Sequence, residues 1–290
     1  MEFLRPTTLA EALALKAERP GAVPIAGGTD VMVELNFDHR RPEALLDLTR
    51  VGDLAEWSTV DHPGGTVRLG AGVPYSRVIT ELGESVPALA MASRTVGSPQ
   101  IRNRGTVGGN LGAASPAGDT HPVLLALDAR VEVASVRGTR LLDAAEFYVG
   151  VKRHALAPDE LITAVHLPAH AGPQQFAKVG TRNAMVIAVC SFAISLRQGK
   201  VGAAIGSAAP TPRHARDAEA FLAAELPWTS SEPLPDSLKR RFGDLVAAAA
   251  EPIDDVRGSA AYRKHALGVL ARRTLTWAWE EHRTGVRACA

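Results

Sequence analysis

Two glycine-rich turns constrain this chain more than any other feature. Ala26-Gly27-Gly28-Thr29-Asp30 follows the short apolar run Val23-Pro24-Ile25, and Thr106-Val107-Gly108-Gly109-Asn110 is followed closely by Ser115-Pro116-Ala117-Gly118-Asp119. Glycine supplies positive φ and lets other groups approach the backbone. Neither turn contains lysine or arginine. Such turns suit a diphosphate-bearing ligand held by peptide N–H groups rather than by ammonium groups. The fold must therefore build two backbone-lined concavities, and a strand entering the first turn with a helix leaving it supplies one. Thr29 or Asp30 is expected to cap that helix, whose apolar positions are Val31, Val33 and Leu35.

Composition removes several classes. The 290 residues exceed one ordinary core and predict two or three subdomains. Lysine and arginine number 32 against 31 acidic residues, so no bulk field favours nucleic acid or an anionic membrane as partner. The first fifteen residues carry Glu2, Arg5 and Glu11 and read as neither a signal peptide nor a membrane anchor, which makes the cytoplasm the expected compartment. Cys190 lies in an apolar run and Cys289 is penultimate, so neither a disulfide framework nor an iron–sulfur cluster is expected. His166 and His170 have the spacing of a helical metal pair, but Pro168 opposes the helix, and no metal site is expected. Gly-x-Ser-x-Gly, Gly-x-Gly-x-x-Gly and Walker loops are absent, which removes serine hydrolase, Rossmann and phosphoryl-transfer readings.

The predicted elements fall into three groups. A helix over 6–17 capped by Thr7 or Thr8, a strand over 23–25, the helix from Val31 and a strand over 44–48 close a first subdomain near residue 53. Two β-like runs, 56–60 and 66–72, flank Asp61-His62-Pro63-Gly64-Gly65 and predict a hairpin. Helices around 76–82 and 87–96, an apolar run over 122–127, and strands over 130–135 and 161–167 complete a second subdomain ending near 168–173. Beyond it, strands over 176–180, 186–197 and 201–207 predict an antiparallel meander turning at Gln198-Gly199. Helical stretches over 217–224, 238–250 and 259–282 follow, the last placing Tyr262, Ala266, Val269, Leu270 and Trp277 largely on one face.

Further landmarks extend along the chain. Pro99-Gln100-Ile101-Arg102-Asn103-Arg104-Gly105 leads into the second turn, and Ala155-Leu156-Ala157-Pro158-Asp159-Glu160-Leu161-Ile162 runs into a strand. Phe176-Ala177-Lys178 comes next, and Asp255-Val256-Arg257-Gly258-Ser259-Ala260-Ala261-Tyr262-Arg263 opens the last helix. In this order and spacing they resemble the FAD-binding (medium) subunit of the molybdenum hydroxylases, the family of xanthine dehydrogenase and carbon monoxide dehydrogenase. The resemblance implies an α+β fold: a two-subdomain FAD-binding module of the vanillyl-alcohol-oxidase/PCMH type, then a C-terminal antiparallel sheet plus helices. The module covers 1–172, with subdomains about 1–53 and 54–172 and the cofactor between them, and the C-terminal domain covers 173–290.

By the same resemblance, the diphosphate-contacting turn falls on Ile25, Ala26, Gly27, Gly28, Thr29 and Asp30. The second loop falls on Thr106, Val107, Gly108, Gly109 and Asn110, continuing through Ser115. An apolar contact falls on Val96, the acidic adenosine-side ligand on Asp119, the apolar residue before a strand on Ile162 and the cationic residue on Lys178. Each has a plainer alternative: core packing for Val96 and Ile162, a turn for Asp119, a solvated strand position for Lys178. Arg102 and Arg104 are expected to hold the loop or to contact an adjoining subunit. The chain departs from the family at Gly150-Val151-Lys152-Arg153-His154, which is bulkier and more basic than usual, and at His121, where an apolar residue is expected.

The family divides its labour. A large molybdopterin subunit hydroxylates the substrate, a small subunit with two iron–sulfur clusters carries single electrons, and the flavin of this subunit collects two for an acceptor. No side chain is then required as a catalytic acid or base. Two other readings stay open: a stand-alone FAD-dependent reductase or oxidase of the related fold, and an assembly subunit that has lost its flavin.

Overall fold

A computed structural model describes residues 1–60, 65–169 and 172–286. The first lobe comprises β1 (Glu2–Leu4), α1 (Leu9–Glu18), β2 (Val23–Ile25), α2 (Val31–Asn36) and β3 (Ala44–Asp47). Its strands form a parallel sheet in the order β1-β3-β2. Thr8 caps α1 by accepting from the Glu11 N–H, while the Glu11 carboxylate accepts from the Thr7 N–H at 2.8 Å. Neither Thr29 nor Asp30 caps α2 through its side chain. Asp30 occupies the cap position but is already helical (φ −112°, ψ −51°), whereas a capping side chain needs an extended backbone to reach the first turn's N–H groups. A small core of Leu4, Ala12, Ala22, Leu46 and Leu54 takes Leu161 from the second lobe, joining the two.

The second lobe begins with β4 (Trp57–Val60), β5 (Thr66–Gly70), α3 (Tyr75–Glu81), α4 (Pro87–Thr95), α5 (Pro99–Arg102), α6 (Val107–Ala113) and α7 (His121–Ala126). It continues with β6 (Arg130–Ser135), β7 (Gly138–Asp143), α8 (Ala144–Phe147), β8 (Tyr148–Gly150), β9 (Arg153–His154) and β10 (Leu161–Pro168). The main sheet is antiparallel in the order β4-β5-β10-β6-β7. The β4/β5 hairpin forms as expected, with positions 61–64 of its turn outside the described residues. The apolar run over 122–127 folds as α7, buried along its whole length. The edge strand β7, Gly-Thr-Arg-Leu-Leu-Asp, is almost wholly exposed, so no apolar alternation announces it in the sequence. His166 lies on β10, where its Nε2 meets Glu132 at 2.7 Å and Arg68 grips the same carboxylate; His170 is outside the described residues.

The C-terminal part comprises β11 (Gln174–Val179), β12 (Cys190–Arg197), β13 (Lys200–Gly206), β14 (Arg213–His214), α9 (Arg216–Glu225), α10 (Asp236–Ala248) and α11 (Ala260–Thr284). Its sheet is antiparallel in chain order, and Arg197 pairs with Lys200 across a turn in which Gly199 has φ +75°. The expected strand over 186–197 starts only at Cys190. Residues 186–189 belong instead to a loop that keeps one bond to β11, Val189 N–H to the Val179 carbonyl at 2.8 Å, while Ser207 Oγ donates to the Ala188 carbonyl at 2.6 Å and Arg263 to the Val189 carbonyl at 2.9 Å. On α11 the buried stripe follows Arg263, Leu267, Ala271, Leu275 and Trp279, beside Ala266 and Leu270. Tyr262 is half exposed and Trp277 only partly buried, so the predicted face is displaced by one residue. Phe176, Ala193 and Ala204 enter the second lobe's core, making the two continuous. No helix among the described residues is long and apolar enough to cross a membrane.

Candidate functional site: a cavity between two glycine walls

The two glycine turns face a cavity of about 760 Å³. Ala26, Gly27, Gly28, Thr29, Asp30, Val96, Thr106, Gly108, Gly109, Asn110, Ser115, Asp119, Ile162 and Lys178 all line it. Ile25 and Val107 are not on its wall. Ile25 packs beneath Gly28, and Val107 is buried in the core because the second turn is the start of a helix whose first residue points inward.

The first wall is bare backbone. Gly28 has φ +73°, and a Cβ on Gly27 would fall far inside van der Waals contact distance of the Arg104 carbonyl oxygen. Among the described residues nothing accepts a hydrogen bond from the N–H groups of Gly27, Gly28 and Thr29, which leaves them for a ligand. The second wall is α6. Thr106 Oγ1 accepts from the Gly109 N–H at 2.8 Å, and Gly108 presses on β5's continuation, where a Cβ would lie 2.5 Å from that of Ala71. Gly109 and Gly112 differ. Neither has positive φ, and the nearest atom to a Cβ would be Thr106 Oγ1 at 3.1 Å for Gly109 and Ile162 Cδ1 at 3.9 Å for Gly112. Glycine inside a helix costs about 1 kcal/mol relative to alanine, and packing does not demand it here. Both residues face the cavity, and a bare helix surface admits a ligand. Arg102 holds the approach to this wall by donating to the carbonyls of Arg94, Val96 and Gly97 at 3.0–3.2 Å.

One end of the cavity holds a buried ion pair. Asp119 Oδ2 accepts from Lys178 Nζ at 2.6 Å and from Thr95 Oγ1 at 2.8 Å, while Oδ1 is buried without a partner. Burial raises the Asp119 pKa, opposed by Lys178. Lys178, on β11, also donates to the Thr95 carbonyl at 3.2 Å, so it is neither solvated nor free. Behind this end, outside the cavity lining, His121 is fully buried with Nδ1 2.7 Å from the Tyr148 hydroxyl, and burial pushes its pKa down to about 3. The other end is basic. Lys16 Nζ donates to the carbonyls of Pro20 and Ala22 at 2.7 Å, and the β8–β9 hairpin carries Lys152 at φ +53° to Glu34 of α2 at 3.1 Å. The basic segment 150–154 thus ties the lobes across the cavity.

Tyr75, Lys16 and Ile187 also line the cavity and carry no motif that would have marked them. Among the described residues no group of three metal-ligating side chains forms. The Cys190 thiol is buried, its pKa pushed up to about 12, and Cys289 is outside the described residues. Open N–H groups, bare glycines and a partnerless carboxylate oxygen are a donor set fitted to a nucleotide diphosphate and its sugar.

Comparison with known proteins agrees. The family described as FAD binding domain in molybdopterin dehydrogenase matches residues 1–170, and CO dehydrogenase flavoprotein C-terminal domain matches 175–278. The chain is 32% identical over 285 residues to the nicotine 6-hydroxylase medium subunit of Paenarthrobacter nicotinovorans, covering 95% of this chain and 96% of that one. It is 30% identical over 290 residues to the carbon monoxide dehydrogenase medium chain of Afipia carboxidovorans, covering 94% and 95%. A chain in the crystal structure of quinoline 2-oxidoreductase from Pseudomonas putida 86 superposes with a TM-score of 0.88 at 26% identity, over 98% of each chain. With two flavoprotein domains in family order and an α+β fold of matching architecture, this chain belongs to the FAD-binding medium subunits of the molybdenum hydroxylase-type dehydrogenases, and its cofactor is FAD.

Proposed function

We propose that the chain binds FAD along the cavity and serves as the electron-transfer subunit of a molybdopterin-dependent hydroxylase or dehydrogenase. It would receive electrons from the iron–sulfur clusters of a small partner subunit, fed by a large molybdopterin subunit, and pass them to an acceptor. The observation that supports this best is the pairing of two cation-free glycine walls, the first with open N–H groups and the second a bare helix face, across one cavity. FAD, when bound, takes up single electrons and gives up pairs, as this junction requires. The chain's own residues bind and orient. The turns at 26–30 and 106–110 would hold the diphosphate, with Ser115 beside the second. Asp119 Oδ1 would accept from the adenosine ribose, with Lys178 fixing the carboxylate, while Val96 and Ile162 offer apolar surface. His121 is buried off the cavity and neutral, so it serves as packing rather than as an acid or base.

On this reading residues 1–172 are the FAD-binding module, divided near residue 53, and 173–290 are the appended domain, which contributes Lys178 to one end of the site. A cytoplasmic complex is its setting. The test is flavin reduction by an organic substrate. The isolated chain should be reduced by dithionite and reoxidised by an acceptor, but reduced by substrate only with both partner subunits present. Repeated turnover of an organic substrate by the isolated chain would replace this reading with a stand-alone oxidoreductase.

A further inference from the structure

Ten buried polar side-chain atoms find no partner among the described residues. Ser93, Gln174, Gln175, Ser195 and His121 lie off the cavity. Of the residues that do line it, only Asp119 and Tyr75 combine such an atom with more than nine-tenths burial, at 6% and 2% exposure. A buried polar group left unmatched costs about 1–3 kcal/mol, so two on one cavity wall point to a ligand that satisfies both. The two atoms are complementary. Asp119 Oδ1 only accepts, whereas the Tyr75 hydroxyl, with the Thr120 hydroxyl as its neighbour, has donor or acceptor capacity left over and keeps its proton, because burial and the nearby Asp119 charge raise its pKa against the opposing Thr120 contact.

Tyr75 is rigidly placed. Its N–H donates to the Gly105 carbonyl at 2.9 Å, and its ring lies against Gly105, where a Cβ would come within 3.2 Å of the ring carbon Cε2. From the start of α3 it lines the cavity close enough to Asp119 to feel that carboxylate's charge. A sugar diol supplies what such a pair lacks: one hydroxyl to donate to the carboxylate oxygen and a second to exchange a hydrogen bond with the phenol.

We propose that Tyr75 is a further cofactor-binding residue: its hydroxyl and Asp119 Oδ1 together take the two hydroxyls of the adenosine ribose of FAD. The inference rests on the FAD reading given above. Tyr75 gives specificity for a ribonucleotide, since the loss of either sugar hydroxyl strands a buried partner.

The experiment uses the full chain stripped of flavin and titrated with FAD, FMN, ADP, 2′-deoxy-ADP and 3′-deoxy-ADP. Tyr75→Phe removes one oxygen and leaves the ring packing. It should weaken FAD and ADP by about tenfold and leave FMN unchanged. The wild-type preference for ADP over one of the deoxy probes should shrink towards unity. The thermal midpoint of the flavin-free chain should hold or rise, since an unmatched hydroxyl is gone. Wild-type affinity for FAD and ADP in Tyr75→Phe would overturn the proposal and leave FAD binding standing, as would equal loss of FMN and ADP, which marks a loosened cavity. Failure of the wild-type chain to bind FAD or ADP at all would overturn the FAD reading itself.

Discussion

At Gly27 a side chain would collide with the Arg104 carbonyl and at Gly28 the backbone has φ +73°, whereas Gly109 and Gly112 sit in ordinary helix, where a Cβ would meet only the Thr106 hydroxyl at 3.1 Å and the Ile162 methyl at 3.9 Å. The first wall needs its glycines in order to fold. The second contains two kinds, since Gly108 is wedged against Ala71 like the glycines of the first wall, while Gly109 and Gly112 stand bare on the cavity side. Glycine doublets that look the same in sequence can therefore answer to the protein at one residue and to the cofactor at the next. The walls also differ in charge. The first offers open N–H groups beside the exposed Asp30, while the second runs on into the buried Asp119–Lys178 pair and then His121.

The largest effects should come where the protein itself demands glycine. Gly27→Ala and Gly108→Ala should each cost several kcal/mol, about 3 or more, because backbone or the short Ala71 side chain must move to admit a methyl group. Yield of folded chain and urea midpoints, both measured without flavin, check this. Near-normal stability in Gly27→Ala would erase the distinction between the walls.

Next comes the charge. Lys178→Met strands a buried carboxylate and should cost about 3–5 kcal/mol, most of it recovered by adding Asp119→Asn. A double-mutant cycle in urea reads the coupling, and additive losses would show that the pair is not a unit.

His121 sharpens the comparison through pH. The unfolded imidazole takes a proton near its ordinary value of 6.5 but the folded one only at about 3, so unfolding binds a proton in between. Stability is complete above pH 6.5 and should fall by up to about 1.4 kcal/mol per unit as pH drops towards 3. His121→Leu, the apolar choice expected of the family, should flatten that segment of the profile. An unchanged profile between pH 6 and 4 would assign the effect to other groups.

The smallest shift belongs to Gly112→Ala. Without flavin it should stabilise the chain by up to about 1 kcal/mol through helix propensity, while weakening FAD by crowding the cavity. Calorimetry of the flavin-free chain and a flavin fluorescence titration read the two effects separately. A loss of stability without flavin would mean that packing, after all, keeps this glycine.

Much of this was legible in the sequence because the signals were local. The Thr8 cap, the 23–25 strand entering a glycine turn, the alternation of Val131 and Val133 and the turn at Gln198-Gly199 are each written in a few neighbouring residues. What escaped depends on distant partners. β7 is exposed and lacks apolar alternation, and 186–189 looks like a strand but is held in a loop by Arg263 and Ser207 from elsewhere in the chain. At the site, the glycine motifs found the walls, and the family resemblance named Asp119 and Lys178 separately, while their ion pair shows only in the fold. Tyr75 and the Lys152–Glu34 tie escaped because a lone tyrosine at a helix start and a basic loop carry no spacing rule. Which glycines serve the ligand was equally hidden, since only the positions of Arg104, Ala71 and Ile162 separate Gly27 and Gly108 from Gly109 and Gly112.

The most direct test of this account is the FAD affinity of Gly109→Val, measured beside its thermal midpoint without flavin. A branched side chain on the bare helix face should leave the midpoint within a few degrees of wild type and weaken FAD by at least about a hundredfold. A folded Gly109→Val chain that still carries stoichiometric FAD at wild-type affinity would place the cofactor away from this wall and contradict the account.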